Sequence, residues 1–212
     1  MKRLKFFVAA VCLSLFAKAQ FEGSIEFRME TKKDTTSNIY LIKGNNVKLD
    51  QLGKKSGKVE GSFVFDLNAK QIRFVNPARK VWGDHKSETP PVIKGSCEVS
   101  KTKNTKNLMG KKCEEYIVKN TEENTMITYW ITSDKFDFFV PMVKLWNRKD
   151  KASVYFNQLK DLPKGAMPML SVESTLDGKP VGRLEVTRIE KKKVDMSQVS
   201  VPSDYKKFEQ DK

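Results

Sequence analysis

The residues that could do chemistry are few in this sequence, and their spacing does not suit it. The single histidine, His85, lies in a proline-flanked loop, and there is no Gly-x-Ser-x-Gly turn to present a serine nucleophile. A zinc site built from His85, Cys97 and Cys113 lacks both the usual ligand spacing and a fourth ligand. The sequence therefore predicts no metal centre and no catalytic triad.

Paired carboxylates are the remaining catalytic possibility. The pairs Glu114-Glu115 and Glu122-Glu123 lie on or beside predicted strands, where adjacent side chains point to opposite faces, so neither pair can converge on a substrate. A glycosidase would need two carboxylates that meet across a cleft, and a distant pair such as Asp66 and Asp84 stays open as a hydrolase alternative. We find no glycine-rich phosphate loop and no RNA-binding aromatic motif, and we expect neither an enzyme nor a cofactor.

Residues 1–19 have the pattern of a secretory signal peptide. Lys2, Arg3 and Lys5 precede an apolar run, residues 6–16, that is too short to span a bilayer, and Ala17-Lys18-Ala19 fits the cleavage rule. Cys12 lies inside the apolar run without a lipobox around it. The sequence predicts a chain that starts at Gln20 and is periplasmic or secreted.

The formal net charge of +14 suggests anionic partners, among which a membrane surface is the most plausible for an exported protein. The lysines, however, are scattered among acidic residues, which is typical of a surface that keeps a protein soluble. We expect a monomer and no nucleic-acid partner.

Two cysteines, Cys97 and Cys113, follow the predicted cleavage site. An oxidising compartment and an even count favour a disulfide between them, which would close a lysine-, threonine- and asparagine-rich loop. Such a bond is worth about 3 kcal/mol in the chain-entropy model. Two free thiols are the alternative.

The first third of the chain predicts a meander of short antiparallel strands. Residues 21–31 alternate between apolar and polar side chains, as expected for a strand with one wet face. Further strands are predicted at 38–42, 47–52, 62–67, 71–76 and 80–82, separated by turns rich in Gly and Asn. Without helices between these strands, a parallel doubly wound fold is excluded.

The rest of the chain combines hairpins with helices. One hairpin is predicted from residues 113–118 and 126–132, and another from 167–175 and 181–190. Between them, helices are predicted over Lys135–Asn147, capped by Asp134, and over Lys151–Leu159. Pro141 indicates that the first turn of the former helix is irregular or that this helix begins at Pro141.

Several short motifs carry a family resemblance. They are a strand that opens with Phe-x-Gly-x-Ile at Phe21, the Gly110–Tyr116 segment, the Thr128–Thr132 strand and the sequence Val201-Pro-Ser-Asp-Tyr205. Together they resemble a family of exported proteins of unknown function common in Bacteroidetes, whose members look like the LolA/LppX group of periplasmic lipoprotein and lipid carriers.

This resemblance implies a mainly β (α+β) fold, in which a curved antiparallel sheet forms a half-barrel around one or two helices. Residues 20–208 would form a single domain of this type, and residues 209–212 a disordered tail. The family offers no established catalytic residues, and the resemblance implies an apolar cavity between sheet and helices.

The aromatic segment Phe136–Trp146 is the strongest functional signal, because it is apolar almost all round. Such a helix is either plain core or the wall of a ligand cavity. The residues predicted to line the cavity are Met126, Trp130, Phe136, Phe139, Met142, Val143 and Trp146. We therefore expect a non-catalytic carrier or binding protein for a hydrophobic ligand, such as a lipid or a lipoprotein acyl chain. The alternative is a cell-envelope interaction module with a filled core and a basic surface.

Overall fold

Twelve strands form one open sheet in the computed structural model, which describes residues 20–86, 89 and 91–208. The predicted signal peptide of residues 1–19 and the predicted tail of residues 209–212 lie outside the described residues. The prediction of a mainly β fold, with an antiparallel sheet and two helices, is confirmed.

Strands that are neighbours in the sheet are also consecutive in the chain, except at two places. Its strands are β1 (Glu22–Thr31), β2 (Thr35–Lys43), β3 (Asn46–Leu52), β4 (Val59–Asp66), β5 (Gln71–Asn76), β6 (Val81–Asp84), β7 (Glu98–Leu108), β8 (Lys111–Asn120), β9 (Thr125–Ser133), β10 (Ala166–Ser174), β11 (Pro180–Lys191) and β12 (Lys206–Lys207). The helices are α1 (Phe139–Trp146) and α2 (Lys151–Phe156), and a 3-10 turn covers Met196–Val199. The spatial order is β12-β6-β5-β4-β3-β2-β1-β11-β10-β9-β8-β7, and among these strands only β12 and β6 pair in parallel. Strand β1 therefore lies near the middle of the sheet.

Close packing in the centre of the sheet depends on Gly23. Its φ of 149° is one that other residues rarely adopt, and a Cβ atom there would lie 2.0 Å from the carbonyl oxygen of Glu190 on β11. The β1–β11 register then shifts between Glu26 and Phe27. Bulges of this kind bend a strand, which helps the sheet to curve around what it covers.

The prediction of a loop between Cys97 and Cys113 is wrong, because residues 98–108 form strand β7. Its side chains are almost all exposed, so it shows no apolar alternation from which a strand could be recognised. It is held instead by its ladder to β8, which runs from the Leu108–Lys111 pair to the Glu98–Lys119 pair.

The same ladder makes the disulfide prediction wrong. Cys97 lies beside Asn120, whose Nδ2 is 3.7 Å from the Cys97 sulfur, whereas Cys113 lies near the other end of β8. A strand rises about 3.3 Å per residue, which places the two thiols about 20 Å apart. A disulfide needs Cα atoms within about 7 Å of each other. Both cysteines are free.

Helix α1 begins at Phe139, between the two predicted starts, Lys135 and Pro141. The expected cap, Asp134, instead forms an ion pair with Lys111 of β8. Lys135 has a left-handed conformation, with φ of 57°, which interrupts the helical path. Helix α2 begins at Lys151 as predicted but ends at Phe156 rather than Leu159.

Neither helix, nor any other within the described residues, has the length and hydropathy needed to span a bilayer.

Candidate ligand-binding site

An apolar cleft lies between α1 and the central strands of the sheet. Strands β1, β2, β10 and β11 form its floor, and α1 with the start of α2 forms its roof. The lining residues are Ile25, Phe27, Met29, Tyr40, Phe139, Met142, Val143, Trp146, Arg148, Asp150, Ser153, Met167, Pro168, Leu184 and Val186. Most are hydrocarbon or thioether side chains, so the cleft favours an apolar occupant.

The floor of the cleft results from the alternation along β1. Ile25, Phe27 and Met29 share one face of this strand, and Ile25 and Phe27 are buried. Phe27 stacks on Tyr40 of β2 with ring centroids 4.7 Å apart. Burial raises the pKa of the Tyr40 phenol, so this side chain stays neutral at physiological pH.

The roof is α1, whose buried side chains are Met142, Val143 and Trp146. The Trp146 ring lies 5.1 Å from the rings of both Phe63 and Phe65 on β4. These contacts fix the end of α1 against a strand beyond the floor of the cleft. At its other end, Phe139 of α1 packs against Phe156 of α2, with ring centroids 5.4 Å apart.

Left-handed residues flank α1: Lys135 lies before the N-cap Phe138, and Asn147 is the C-cap, with φ of 57° and 54°. The carbonyl of Lys135 accepts a hydrogen bond from the Phe21 amide (3.1 Å), and the Asn147 amide donates to Val143 O (3.0 Å). Left-handed residues end helices sharply. The roof is thus a short rigid segment between two backbone reversals.

Helix α2 is anchored by polar contacts to the β8–β9 turn. The Tyr155 hydroxyl donates to Glu123 Oε2 (2.6 Å), and Lys151 Nζ donates to Thr125 Oγ1 (2.6 Å) and pairs with Glu123 (3.4 Å). The Tyr129 hydroxyl donates to the Ala152 carbonyl (2.7 Å). These bonds connect α2, which forms one end of the roof, to β9 and the turn that precedes it.

The junction between α1 and α2 supplies the charged groups of the cleft. Arg148 Nε lies 2.7 Å from Asp150 Oδ2, and the guanidinium lies 4.6 Å from the centroid of the Trp146 ring. Asp150 is also the N-cap of α2, where it accepts a hydrogen bond from the Ser153 amide (3.0 Å).

The enclosed volume of the cleft is about 50 Å³. That is room for a few water molecules, whereas pockets for drug-sized ligands have roughly 300–1,000 Å³. In this conformation the cleft is too small for an acyl chain, so a ligand would have to displace the roof.

Four of the predicted cavity residues meet at the cleft: Phe139, Met142, Val143 and Trp146. Phe136 is buried but lies outside the lining, because it packs against Phe21 at the start of β1, with ring centroids 5.1 Å apart.

Met126 and Trp130 are not among the residues that line the cleft. They alternate along β9 with the buried apolar residues Ile127, Tyr129 and Ile131, so their side chains leave the strand on its other face. There the Trp130 ring lies 5.1 Å from the Lys106 ammonium.

Sequence reasoning missed the residues that the strands contribute, among them Met29, Tyr40, Met167 and Leu184. The alternation of β1 identifies one face of that strand as buried, but it does not say that this face lies opposite α1. That pairing depends on the position of β1 in the sheet.

The residues considered for catalysis have structural partners. The His85 ring packs against Phe63 (centroids 5.2 Å apart). Asp66 accepts hydrogen bonds from the Asn68 and Ala69 amides in a turn, and Asp84 pairs with Lys207 (2.6 Å). Glu114 pairs with Lys101 (2.6 Å) and Glu115 accepts from Thr102 (2.8 Å). Among the described residues, no group of three His, Cys, Asp or Glu side chains could hold a metal ion.

A second recess of about 510 Å³ lies at the β7 end of the sheet. It is wider and more polar than the cleft, and it is lined by Val99, Lys101, Lys112, Glu114, Tyr116, Ile131, Ser133, Lys160, Asp161 and Pro163. The Lys101 ammonium is 5.3 Å from the Tyr116 ring centroid. We call this recess the edge groove.

A family model described as "Domain of unknown function (DUF4412)" matches residues 21–205. The expectation of a family of unknown function is therefore confirmed, whereas its range among Bacteroidetes is not tested. A search among curated proteins finds no significant sequence match.

Solved structures of similar fold have low sequence identity to this chain. An uncharacterized conserved protein from Thermus thermophilus matches with 10% identity over 88% of this chain and 90% of its own, at a TM-score of 0.50. A chain in the complex of Pseudomonas aeruginosa MucA/MucB matches with 11% identity over 88% of this chain and 56% of its own, also at 0.50. A candidate outer membrane lipoprotein-sorting protein domain from Vibrio parahaemolyticus matches with 9% identity over 84% and 87%, at 0.31, too low to draw on. At these identities the matches concern the fold alone.

Proposed function

The chain belongs to the DUF4412 family, a domain family of unknown function, and we propose that its function is the non-catalytic binding or carriage of a hydrophobic ligand in the cleft under α1. A lipid or a lipoprotein acyl chain is the ligand class that fits. No chemical step is involved, and specificity comes from the shape and apolarity of the cleft.

The observation that carries this proposal is the composition of the cleft. Three methionines, Met29, Met142 and Met167, come from β1, α1 and β10 and meet around one space with aromatic and branched side chains. Methionine is flexible and polarizable, so it adapts to ligands of varying outline. A core built only for stability would favour side chains with fewer rotamers.

Binding requires the roof to move, because the closed cleft holds only about 50 Å³. The two left-handed residues beside α1, Lys135 and Asn147, are where the backbone would absorb this movement. The contacts of α2 with Glu123 would be kept, so only α1, between Lys135 and Asn147, would move away from the sheet.

The signal-peptide pattern of residues 1–19 supports a periplasmic or secreted location. There a carrier would shield an apolar ligand from water.

The test is the binding of a fluorescent apolar probe and its displacement by fatty acids of increasing length. Val143→Phe should fill the cleft and weaken binding at least about tenfold, or about 1.4 kcal/mol. The matched control, Val92→Phe, places the same side chain at a valine that is 90% exposed and lines neither the cleft nor the edge groove, and it should leave binding unchanged. Circular dichroism would verify that both variants fold.

A wild-type protein that binds neither the probe nor any fatty acid contradicts the proposal. Equal weakening by both variants would also contradict it, since it would place the apolar site outside the cleft.

One observation favours a second function, that of a cell-envelope interaction module. The closed cleft is nearly filled, while the edge groove is open and carries Lys101, Lys112 and Lys160 against Glu114 and Asp161. A groove of this kind suits an anionic surface. Co-sedimentation with anionic vesicles but not with neutral ones, abolished by Lys112→Glu together with Lys160→Glu, would support this alternative. Equal sedimentation with both kinds of vesicle would count against it.

A further inference from the structure

We infer that the ligand of the cleft is an anionic amphiphile, a free fatty acid, whose carboxylate binds Arg148 while its hydrocarbon chain enters under α1. This inference rests on the proposed function and names its ligand class.

Arg148 lies where the cleft meets solvent. Its side chain is 33% exposed and that of its partner Asp150 is 27% exposed. Deeper lining residues are fully buried, with Met142 at 0% and Met167 at 1%. The cleft therefore has an apolar interior and a charged end, which is the polarity of a fatty acid.

The guanidinium is pre-oriented for a carboxylate. It lies over the Trp146 ring at 4.6 Å, and its closest contact with Asp150 is made through Nε. A ligand carboxylate can take the place of Asp150 in this contact, and the planar guanidinium matches the two oxygens of a carboxylate. Trp146 is itself a lining residue, so the head group and the chain would lie on the same indole.

Exchange of Asp150 for a ligand carboxylate leaves Asp150 with partners. Its side chain accepts hydrogen bonds from the Ser153 amide (3.0 Å) and the Ser153 hydroxyl (3.1 Å) at the start of α2. A buried carboxylate that lost its only partner would destabilise the fold, but a capping aspartate keeps its hydrogen bonds to the helix. Arg148 can therefore change partner while the helix cap stays intact.

The other cations near this end lie in a separate recess. This recess of about 80 Å³ adjoins the cleft and shares Met29, Asp150 and Leu184 with it. Its cations, Lys151 and Arg183, pair with Glu123 (3.4 Å) and Glu185 (3.0 Å). Of its carboxylates, Glu30 pairs with Arg28 (2.8 Å), and burial raises the pKa of Glu173, which lowers the negative charge of that side chain. Lys151 and Arg183 do not line the cleft, whereas Arg148 does, so Arg148 is the cation best placed for a head group.

The experiment compares dodecanoate with dodecanol, which share a chain and differ in the head group, and uses acetate for the head group alone. Titration calorimetry is carried out below the critical micelle concentration and at a pH where the acid is ionised. The wild-type protein should bind dodecanoate at least about tenfold more tightly than dodecanol, in line with the strength of a bidentate charged contact. Acetate should bind too weakly to detect.

Arg148→Gln should remove the preference for dodecanoate and leave dodecanol binding unchanged. Arg148→Lys should retain part of the preference, because lysine keeps the charge but not the planar fork. The control is Arg188→Gln, which neutralises an arginine that pairs with Glu26 and is 62% exposed; its affinities should equal those of the wild type. Thermal unfolding of each variant without ligand checks the fold.

Equal affinity of the wild type for acid and alcohol overturns the inference but leaves the proposed function standing. An equal loss for both ligands in Arg148→Gln also overturns it, because Arg148 would then act only on the fold of the cleft. If neither ligand binds, the proposed function fails and the inference falls with it.

Discussion

The cleft and the edge groove differ both in volume and in the polarity of their lining. The cleft is apolar and buried but encloses about 50 Å³, whereas the edge groove measures about 510 Å³ and is lined by lysines and acidic residues. The region with suitable chemistry is closed, and the region that is open carries the chemistry of an ordinary surface. Size alone therefore does not identify the binding site, and the function depends on whether α1 can move.

The largest difference between the two regions is expected for methionine truncation. Met142→Ala removes a fully buried side chain from α1 and should lower the free energy of unfolding by about 2–5 kcal/mol. The matched control, Met109→Ala, acts in the β7–β8 turn at a methionine that is 51% exposed, and should stay within about 0.5 kcal/mol. Urea unfolding measures both values.

A similar cost at the two methionines would contradict this contrast, because α1 would then be no more tightly packed than the edge of the sheet.

The next effect concerns the anchor of α2. Glu123→Gln keeps the shape of the side chain but removes the charge that Tyr155 and Lys151 contact, and should cost about 1.5–3 kcal/mol at neutral pH. The exposed control Glu122→Gln should have almost no effect. Urea unfolding at neutral pH would test this pair.

The cost at Glu123 should depend on pH. The hydrogen bond from Tyr155, the Lys94 amide and Lys151 together lower the pKa of Glu123. Its stabilisation is therefore fully present above the unfolded-state pKa of about 4.3 and is lost as the pH falls through the lower folded-state value. The difference between wild type and Glu123→Gln should shrink in acid. A difference that stays constant down to strongly acidic pH would show that the charge is not what anchors α2.

A smaller effect is expected at the β7 end of the sheet, on the face opposite to the edge groove, where Lys106 meets Trp130. Lys106→Ala removes the ammonium above the Trp130 ring and should cost about 0.5–1 kcal/mol. Lys106→Met, which keeps much of the apolar stem, separates the loss of charge from the loss of packing. A cost above that of Met142→Ala would reverse the ranking of the two regions.

The smallest effect is expected at Cys97. Because both thiols are free, Cys97→Ser should change the free energy of unfolding by less than about 0.5 kcal/mol, with and without reductant. A native disulfide would instead be worth about 2–5 kcal/mol in a small secreted domain. Burial raises the pKa of the Cys113 thiol to about 11, so alkylation of the folded protein at neutral pH should label Cys97 first.

Much of the fold could be predicted from the sequence. Strand β1 and most later strands follow from alternation, since the period of two is a local property of the residues. Strand β7 could not be found in this way, because an exposed edge strand has no buried face to mark it. The start of α1 cannot be read from the sequence for a similar reason. Asp134 pairs with Lys111 of β8, and the carbonyl of the left-handed Lys135 accepts a hydrogen bond from Phe21, so both residues have partners that are distant in the chain.

For the candidate site, local sequence is enough to show that an apolar helix is present and that four of its residues, Phe139, Met142, Val143 and Trp146, are available to a cleft. The tertiary structure decides which strand residues face them and which face of β9 points away from the cleft. It also decides the distance between Cys97 and Cys113 and the position of Arg148 in the lining of the cleft. The physical reason is that composition and periodicity act over a few residues. Strand register and helix packing depend instead on contacts between segments that are distant in the chain.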